Sequence, residues 1–313
     1  VLGASYTYRT LGSIIEDLSV NGGDTYFIAN PGREPDAGTA AQLQAEADRL
    51  KQASGAAPSD AKLKEDAALA QNRADVYRAV ATFPQAKREY HGVTFSINKR
   101  LSNRFSILAN YTYSRRTGNY PGPYNPYTNQ LDPNISSQFD IIDLVVNRNG
   151  PLNNDRPHNF KATGFYVQPL RGGKSSITAS LTFTALSGRP IQTLGQHPTY
   201  GARQSFILPS GSAGRTPTIT QLDFHIGYEQ SLTKQVKLSI FADIINLLNQ
   251  RGVTNVDDEY TFSFVNPIVY GQPEDLRKLR TTDGQAPILN SNYAQPTAYQ
   301  APLYLRLGAR LAF

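Results

Sequence analysis

The stretch APLYLRLGARLAF, residues 301–313, decides the fold class. Leu303, Leu305, Leu307, Ala309, Leu311 and Phe313 fall on one face of an extended chain. Tyr304, Arg306, Gly308, Arg310 and Ala312 fall on the other. This is unbroken period-2 alternation, the pattern of a strand with one apolar and one polar face. A soluble protein seldom leaves such a strand bare, because an open edge pairs with other chains. In a membrane barrel the strand has a neighbour on each side and lipid against its apolar face.

The same alternation runs back through the chain. Leu2, Ala4, Tyr6 and Tyr8 alternate with Ser5, Thr7 and Arg9. Val93, Phe95 and Ile97 mark a strand at about 87–100. Leu101-Ser102-Asn103 turns it into a return strand with Phe105, Ile107, Ala109, Tyr111 and Tyr113 on one face. That face is aromatic at its ends and aliphatic in its middle, as where a strand crosses two interfaces and a hydrocarbon core. A second hairpin carries Phe160, Ala162, Gly164 and Tyr166, then Ile177, Ala179, Leu181, Phe183 and Ala185. A third carries Leu222, Phe224, Ile226 and Tyr228, then Leu238, Ile240, Ala242 and Ile244. After the first strand none of the residues named on these apolar faces is charged. A charge at the bilayer midplane would cost about 2–4 kcal/mol.

Turns inside the hairpins are short, while the connections 117–155, 188–217 and 251–300 are long and rich in Asn, Gly, Pro, Tyr and Gln. Structureless connections of that length argue against a compact soluble domain. On the outer side of an outer-membrane barrel they are ordinary. They are therefore expected to be extracellular loops, with the first strand running outward and Phe313 periplasmic. Another irregular stretch starts at Asn21-Gly22-Gly23-Asp24, with a short strand at 26–28. Residues 36–83 change to helical periodicity. Thr39 and Gln42 read as a capping box, with Leu43, Ala47 and Leu50 on one face. Ser59 or Asp60 opens a second helix striped by Leu63, Ala67, Ala70, Ala74, Tyr77 and Ala81, and Pro84 ends it. The expectation is a helical insertion in one extracellular loop, packed on itself or on the barrel rim, with a cargo-binding element as the alternative.

Composition bounds the rest. The chain has 313 residues and a mean hydropathy of -0.42. It holds no apolar run long enough for a membrane helix, which leaves a β-barrel open. It has no Cys, so disulfides, thiolate metal sites and cysteine catalysis are excluded. The net charge of +6 is dispersed without a polybasic run, so nucleic acid is not an expected partner. No Met is present and the chain starts at Val1, which suggests a piece of a longer protein.

No catalytic constellation is visible. His91, His158, His197 and His225 are scattered, and neither G-x-S-x-G nor a P-loop occurs. The reading is no enzyme, no cofactor and no metal. Asp257, Asp258 and Glu259 form an acidic cluster without the loop pattern of a calcium site. His158, in Asp155-Arg156-Pro157-His158-Asn159, suits a structural post at the rim. Strand parity turns Lys161, Asp223, His225 and Glu229 toward a lumen. Lys237, Asp243, Arg306 and Arg310 follow by the same rule. They read either as a hydrated wall of cross-strand ion pairs or as contacts for a plug or a passing cargo. Tyr120, Tyr124 and Tyr127, in TGNYPGPYNPYTNQ, are the candidate cargo loop. A self-packed loop is the other reading.

Five segments carry a family resemblance: ASYTYRTLGSIIEDLS, YHGVTFSINKRLSNRFSILANYTYS, NDRPHNFKATGFY, FADIINLLNQRGVTNVDD and YLRLGARLAF. In this order they resemble the C-terminal barrel half of TonB-dependent outer-membrane transporters, in particular the Oar-like branch. The resemblance implies an all-β, antiparallel transmembrane barrel of about 22 strands, of which this chain supplies about eight C-terminal ones. It implies a bacterial outer-membrane location and partners in lipid, in TonB, and in the N-terminal strands and plug of the same protein. It also implies that the barrel-assembly machinery reads the terminal aromatic. Phe313 matches that position, and Tyr304, Leu307, Ala309 and Leu311 match its alternation. The expected function is plug-gated transport of a large ligand (peptide, protein or glycan), the cargo itself unknown. The rivals are a stand-alone eight-stranded outer-membrane barrel acting as anchor or adhesin, and a soluble all-β binding domain.

Overall fold

A strand with one apolar face cannot bury it alone, and here each strand pairs with its neighbours in chain order. The computed structural model describes residues 1–19, 22–23, 26–33, 36–131 and 136–313. Eight long strands build the wall: β1 (Leu2–Thr10), β2 (Arg88–Ser102), β3 (Phe105–Gly118), β4 (His158–Leu170), β5 (Ser175–Leu186), β6 (Ile219–Ser231), β7 (Lys237–Ile245) and β8 (Tyr304–Ala312). They form one antiparallel sheet in the order β1 to β8, with Gly150–Pro151 annexed at the upper end of β3.

The registers keep the two faces separate. Leu2, Ile97, Ala109, Ala162, Phe183 and Leu222 lie side by side across six strands. The face they belong to is bare: Leu307 is 72% exposed and Phe95 53%. An exposed apolar surface this continuous is out of place in water and at home against lipid. No described helix is long and apolar enough to cross a membrane. Strands of nine residues or more cross by themselves.

The first hairpin turns on Asn103 and Arg104, both with positive φ (53° and 68°), between the paired Ser102 and Phe105. That geometry matches the right-handed twist of the flanking strands. The third hairpin is closed by Leu232 N donating to Val236 O at 2.8 Å. The sheet does not close on itself. Among the described residues β1 pairs only with β2, and β8 only with β7.

The insertion is helical as expected: α1 (Ala37–Ala56) and α2 (Ala61–Ala79) pack antiparallel, burying Ala47, Ala74 and Val76. The start of α1 differs from the sequence expectation. Asp36, not Thr39, is the cap; its carboxylate accepts from Thr39 N at 2.7 Å and from Thr39 Oγ1 at 2.8 Å. An aspartate reaching both groups out-competes a threonine that would have to cap a later turn. Asp60 caps α2 through Leu63 N. Glu16–Leu18 pairs with Phe27–Ala29, one residue on from the short strand expected at 26–28. Of the residues Asn21-Gly22-Gly23-Asp24, where an irregular stretch is expected to start, Asn21 and Asp24 lie outside the described residues.

The long connections are not structureless. Leu194–His197 pairs antiparallel with Gly201–Phe206 and parallel with Glu259–Phe264, so the connections 188–217 and 251–300 share one small sheet. Every described hydrophobic side chain that is fully buried lies outside β1 to β8. One cluster joins Leu18, Phe83 and Phe139; another joins Ile207, Leu208, Val265 and Leu279.

On the inner face of β7, Phe241 lies over Gly308 of β8. A Cβ added at Gly308 would sit 2.3 Å from the Phe241 ring, whereas one at Gly164 would meet nothing closer than 3.8 Å. Gly308→Ala is expected to destabilise the folded wall by about 1–3 kcal/mol, the cost of overpacking. Gly164→Ala is expected to change it by less than about 0.5 kcal/mol. Urea titration of the heat-modifiable band in the intact protein measures both.

Candidate lumen wall and loop vestibule

Opposite the apolar face, cross-strand rows carry the charges. Ser180 of β5, His225 of β6, Asp243 of β7 and Arg306 of β8 stand in one row. His225 Nδ1 and Asp243 Oδ1 are 2.6 Å apart, and Arg306 Nε donates to Asp243 Oδ2 at 2.8 Å. The carboxylate is buried between a histidine and an arginine that both reach open space. Glu229 pairs with Lys237 at 3.0 Å. Asp223 accepts from Gln221 Nε2 and from the backbone N of Asn246, each at 2.9 Å. Lys161 and Arg310 have the same parity, with no ion pair among the described residues. Of the lumen residues expected from parity, the fold thus joins three into a triad, pairs Glu229 with a neighbour and leaves two cations free.

The rim is stapled by the NDRPHNF motif. Asp155 is buried and accepts from Arg116 N at 2.6 Å while its side chain pairs with Arg215. Arg156 Nη1 donates to Ser187 O at 2.7 Å, and His158 N donates to Ser187 Oγ at 2.7 Å. His158 Nδ1 meets Tyr111 OH at 2.7 Å, and its ring packs on Tyr113. The motif ties β3, β4 and the start of the connection 188–217.

Above the rim, polar hubs hold the loops. Asn147 Nδ2 donates to Phe206 O, Ile207 O and Ile268 O at 2.9–3.1 Å, fastening three connections with one side chain. Arg148 is buried, bonds Gln204 and lies over the Phe206 ring at 4.9 Å; burial lowers it to about 10. Buried Arg189 pairs with Asp258 at 2.9 Å.

The family model of the outer membrane beta barrel domain matches residues 38–196. The chain belongs to the outer membrane beta barrel domain family. It is also similar to the TonB-dependent transporter Oar of Myxococcus xanthus, with 35% identity over 325 aligned residues, covering 100% of this chain and 26% of that protein. The chain spans about a quarter of the length of the curated relative it matches. No solved structure matches it. Sheet, apolar face and family together place this barrel domain in the bacterial outer membrane.

Within the barrel domain's loops, the acidic cluster is neutralised by arginines. Arg203 reaches Glu259 at 3.1 Å and Asp257 at 3.5 Å, and Arg189 takes Asp258. Burial still raises the Asp258 carboxyl. No group of acids and histidines suited to a metal occurs among the described residues.

The candidate cargo loop divides. Tyr127 is buried, edge-on to Phe206 at 5.1 Å, and offers no surface to a cargo. Tyr120 is half-buried against Phe139, and Tyr124 is exposed. Two of the three tyrosines therefore serve loop packing, because the shared loop core needs flat apolar side chains. Residues missed by strand parity are Asn147, Arg148, Asp155 and Arg189, whose partners lie far away in sequence. Also missed were Arg9, Arg88 and Arg116 on the inner face of β1 to β3, a triplet legible from the absence of acids on that face.

Glu16 forms a latch between the first loop and the connection 117–155. It is 1% exposed, and its carboxyl accepts from Ser136 N at 2.7 Å and from Ser136 Oγ at 3.1 Å. Burial lifts it from 4.5 to about 7; Ser136 opposes the shift, and Asp17 and Asp140 add to it. The unfolded segment releases its proton first, so the latch holds fully below about 4.5 and weakens as pH rises through about 7. Amides of Glu16–Leu18, corrected for intrinsic exchange, are expected to lose roughly 10- to 100-fold protection between pH 5 and 8. Glu16→Gln is expected to flatten that dependence in hydrogen exchange. An unchanged slope would assign it to another group.

Proposed function

We propose that this chain is the C-terminal wall of a TonB-dependent, plug-gated outer-membrane transporter that moves a large ligand such as a peptide, protein or glycan. The carrying observation is the open arc. β1 and β8 each present an edge without a partner, and a membrane strand cannot leave its N–H and C=O groups unpaired. The rest of the barrel must supply those neighbours. The lumen row supports the reading. A charged inner face with the His225–Asp243–Arg306 triad suits a hydrated bore or a plug surface rather than the packed interior of a small barrel.

In this reading Lys161, Asp223, Glu229 and Arg310, with the triad, face the plug or the cargo. Tyr124 is the tyrosine of its loop left to meet cargo at the mouth. The wall does not catalyse; it shapes and charges a passage opened by energy passed through TonB. The barrel-assembly machinery would read the end of β8, where Tyr304, Leu307, Ala309 and Leu311 lead to Phe313. Phe313 is 98% exposed and free to be read.

The stand-alone anchor or adhesin is the rival, and geometry separates the two. Since the chain has no Cys, paired cysteines at Ala4 or Tyr6 of β1 and at Leu305 or Leu307 of β8 report closure cleanly. In the intact protein in its membrane no β1–β8 disulfide is expected, and ligand passage is expected to stop when TonB is deleted. Efficient β1–β8 cross-linking, or passage without TonB, would sink the proposal.

Deleting Phe313 is expected to lower the heat-modifiable fraction in the outer membrane several-fold. Unchanged assembly would remove the role given to the terminus.

A further inference from the structure

The inner face of β1 to β3 carries an uncompensated positive site at its extracellular end. Arg9 of β1, Tyr90 of β2 and Arg116 of β3 stand side by side in one register row. Adjacent strands lie about 4.8 Å apart, so the two arginines start about 10 Å from each other with the tyrosine between them. The Arg116 guanidinium sits over the Tyr90 ring, 5.4 Å from its centre. The ring itself folds down over Gly92, where a Cβ would be 2.5 Å from the Tyr90 hydroxyl. Arg88, two residues before Tyr90 on the same face, adds a third guanidinium. It reaches toward Gly122 of the tyrosine loop, where a Cβ would lie 3.1 Å from Arg88 Nη1. Arg9, Arg88, Tyr90 and Arg116, with Thr7 and Thr10, line a recess of about 420 Å³.

Among the described residues no carboxylate forms an ion pair with these arginines. β1 and β3 contain no acid, and the single acid of β2 is Glu89. Glu89 registers with Thr10 and Thr117, on the opposite face of the sheet. None of the three arginines has an ion pair among the described residues. On β6 to β8, by contrast, Asp243 pairs with His225 and Arg306, and Glu229 pairs with Lys237. Arginine side chains held apart around an open recess suit bidentate capture of a planar or tetrahedral oxyanion. Being on the lumen face, they look away from lipid phosphates.

We propose that Arg9, Arg88 and Arg116 form an oxyanion-binding site at the outer mouth of the bore, taking a carboxylate or phosphate carried by an entering ligand. This rests on the transporter reading only for the ligand's route; the site itself stands on the face and the register.

Calorimetry on the intact protein in detergent at low salt, with tetraglutamate and with inorganic phosphate as separate probes, tests it. Binding of at least one probe is expected, and the probe that binds tells carboxylate from phosphate. Arg9→Gln with Arg116→Gln is expected to weaken it at least tenfold. Arg88→Gln alone, a milder change, is expected to weaken it several-fold. Arg115→Gln, next along β3 but on the outer face, is expected to leave it unchanged. Heat-modifiable mobility reports folding of each variant. The proposal falls if the intact protein binds neither probe, or if the inner-face variants bind as well as Arg115→Gln does. It also falls if binding appears only after the plug is deleted, since the protein's own acids would then fill the site. None of these outcomes depends on whether β1 and β8 cross-link.

Discussion

In hydrocarbon a backbone amide or carbonyl has no water to turn to, and the whole molecule is arranged around that constraint. The continuous ladder from β1 to β8 is its direct result, since each strand satisfies its neighbour's groups. The period-2 pattern follows, because a strand in such a ladder has one side chain in lipid and the next in the bore. The two groups of backbone atoms that the ladder leaves unpaired, along the outer edges of β1 and β8, mark where further strands would attach in the proposed larger barrel.

The same constraint moves the hydrophobic core. Neither face of the wall is covered by protein, so apolar packing within the chain can happen only above the membrane. The described buried clusters accordingly sit in the loops, around Leu18, Phe139, Leu194, Ile207 and Val265. Loops lack regular ladders, and their backbone groups need other partners. Side chains provide them: Asn147 serves three carbonyls, Arg148 two groups of Gln204, and Asp155 a backbone amide and a guanidinium. A buried charge is costly unless paired, which is why Arg189 meets Asp258 and Asp155 meets Arg215.

This division also decides what was legible in the sequence. The wall was legible because its rule is local: alternation at Leu303 to Phe313 can be read without knowing any partner. The helical pair was legible for the same reason, its second cap narrowed to Ser59 or Asp60, of which the fold uses Asp60. The loop core was not. Leu194–His197 lies beside Glu259–Phe264 in parallel, and no periodicity in either segment announces a partner some sixty residues away. Tyr127 read as a binding residue because its neighbours are prolines and asparagines, and its burial comes from Phe206 of another connection. The start of α1 was misplaced by one turn for a smaller reason: Thr39 fits the capping pattern, but Asp36 binds Thr39 itself.

Electrostatics then distinguishes the two ends of the arc. On β6 to β8 each strand contributes to a balanced row, with one buried carboxylate between a histidine and an arginine. Balance of this kind stiffens a wall and leaves little field in the bore. On β1 to β3 the row is arginine, tyrosine, arginine, with the strands' one acid facing outward. In the proposed transporter a low-dielectric wall beside a wet channel would focus such a field rather than disperse it. The arc is thus neutral where it ends and positive where it begins. In the proposed larger barrel β1, like β8, would meet a further strand, so the positive patch would lie beside one of the two seams.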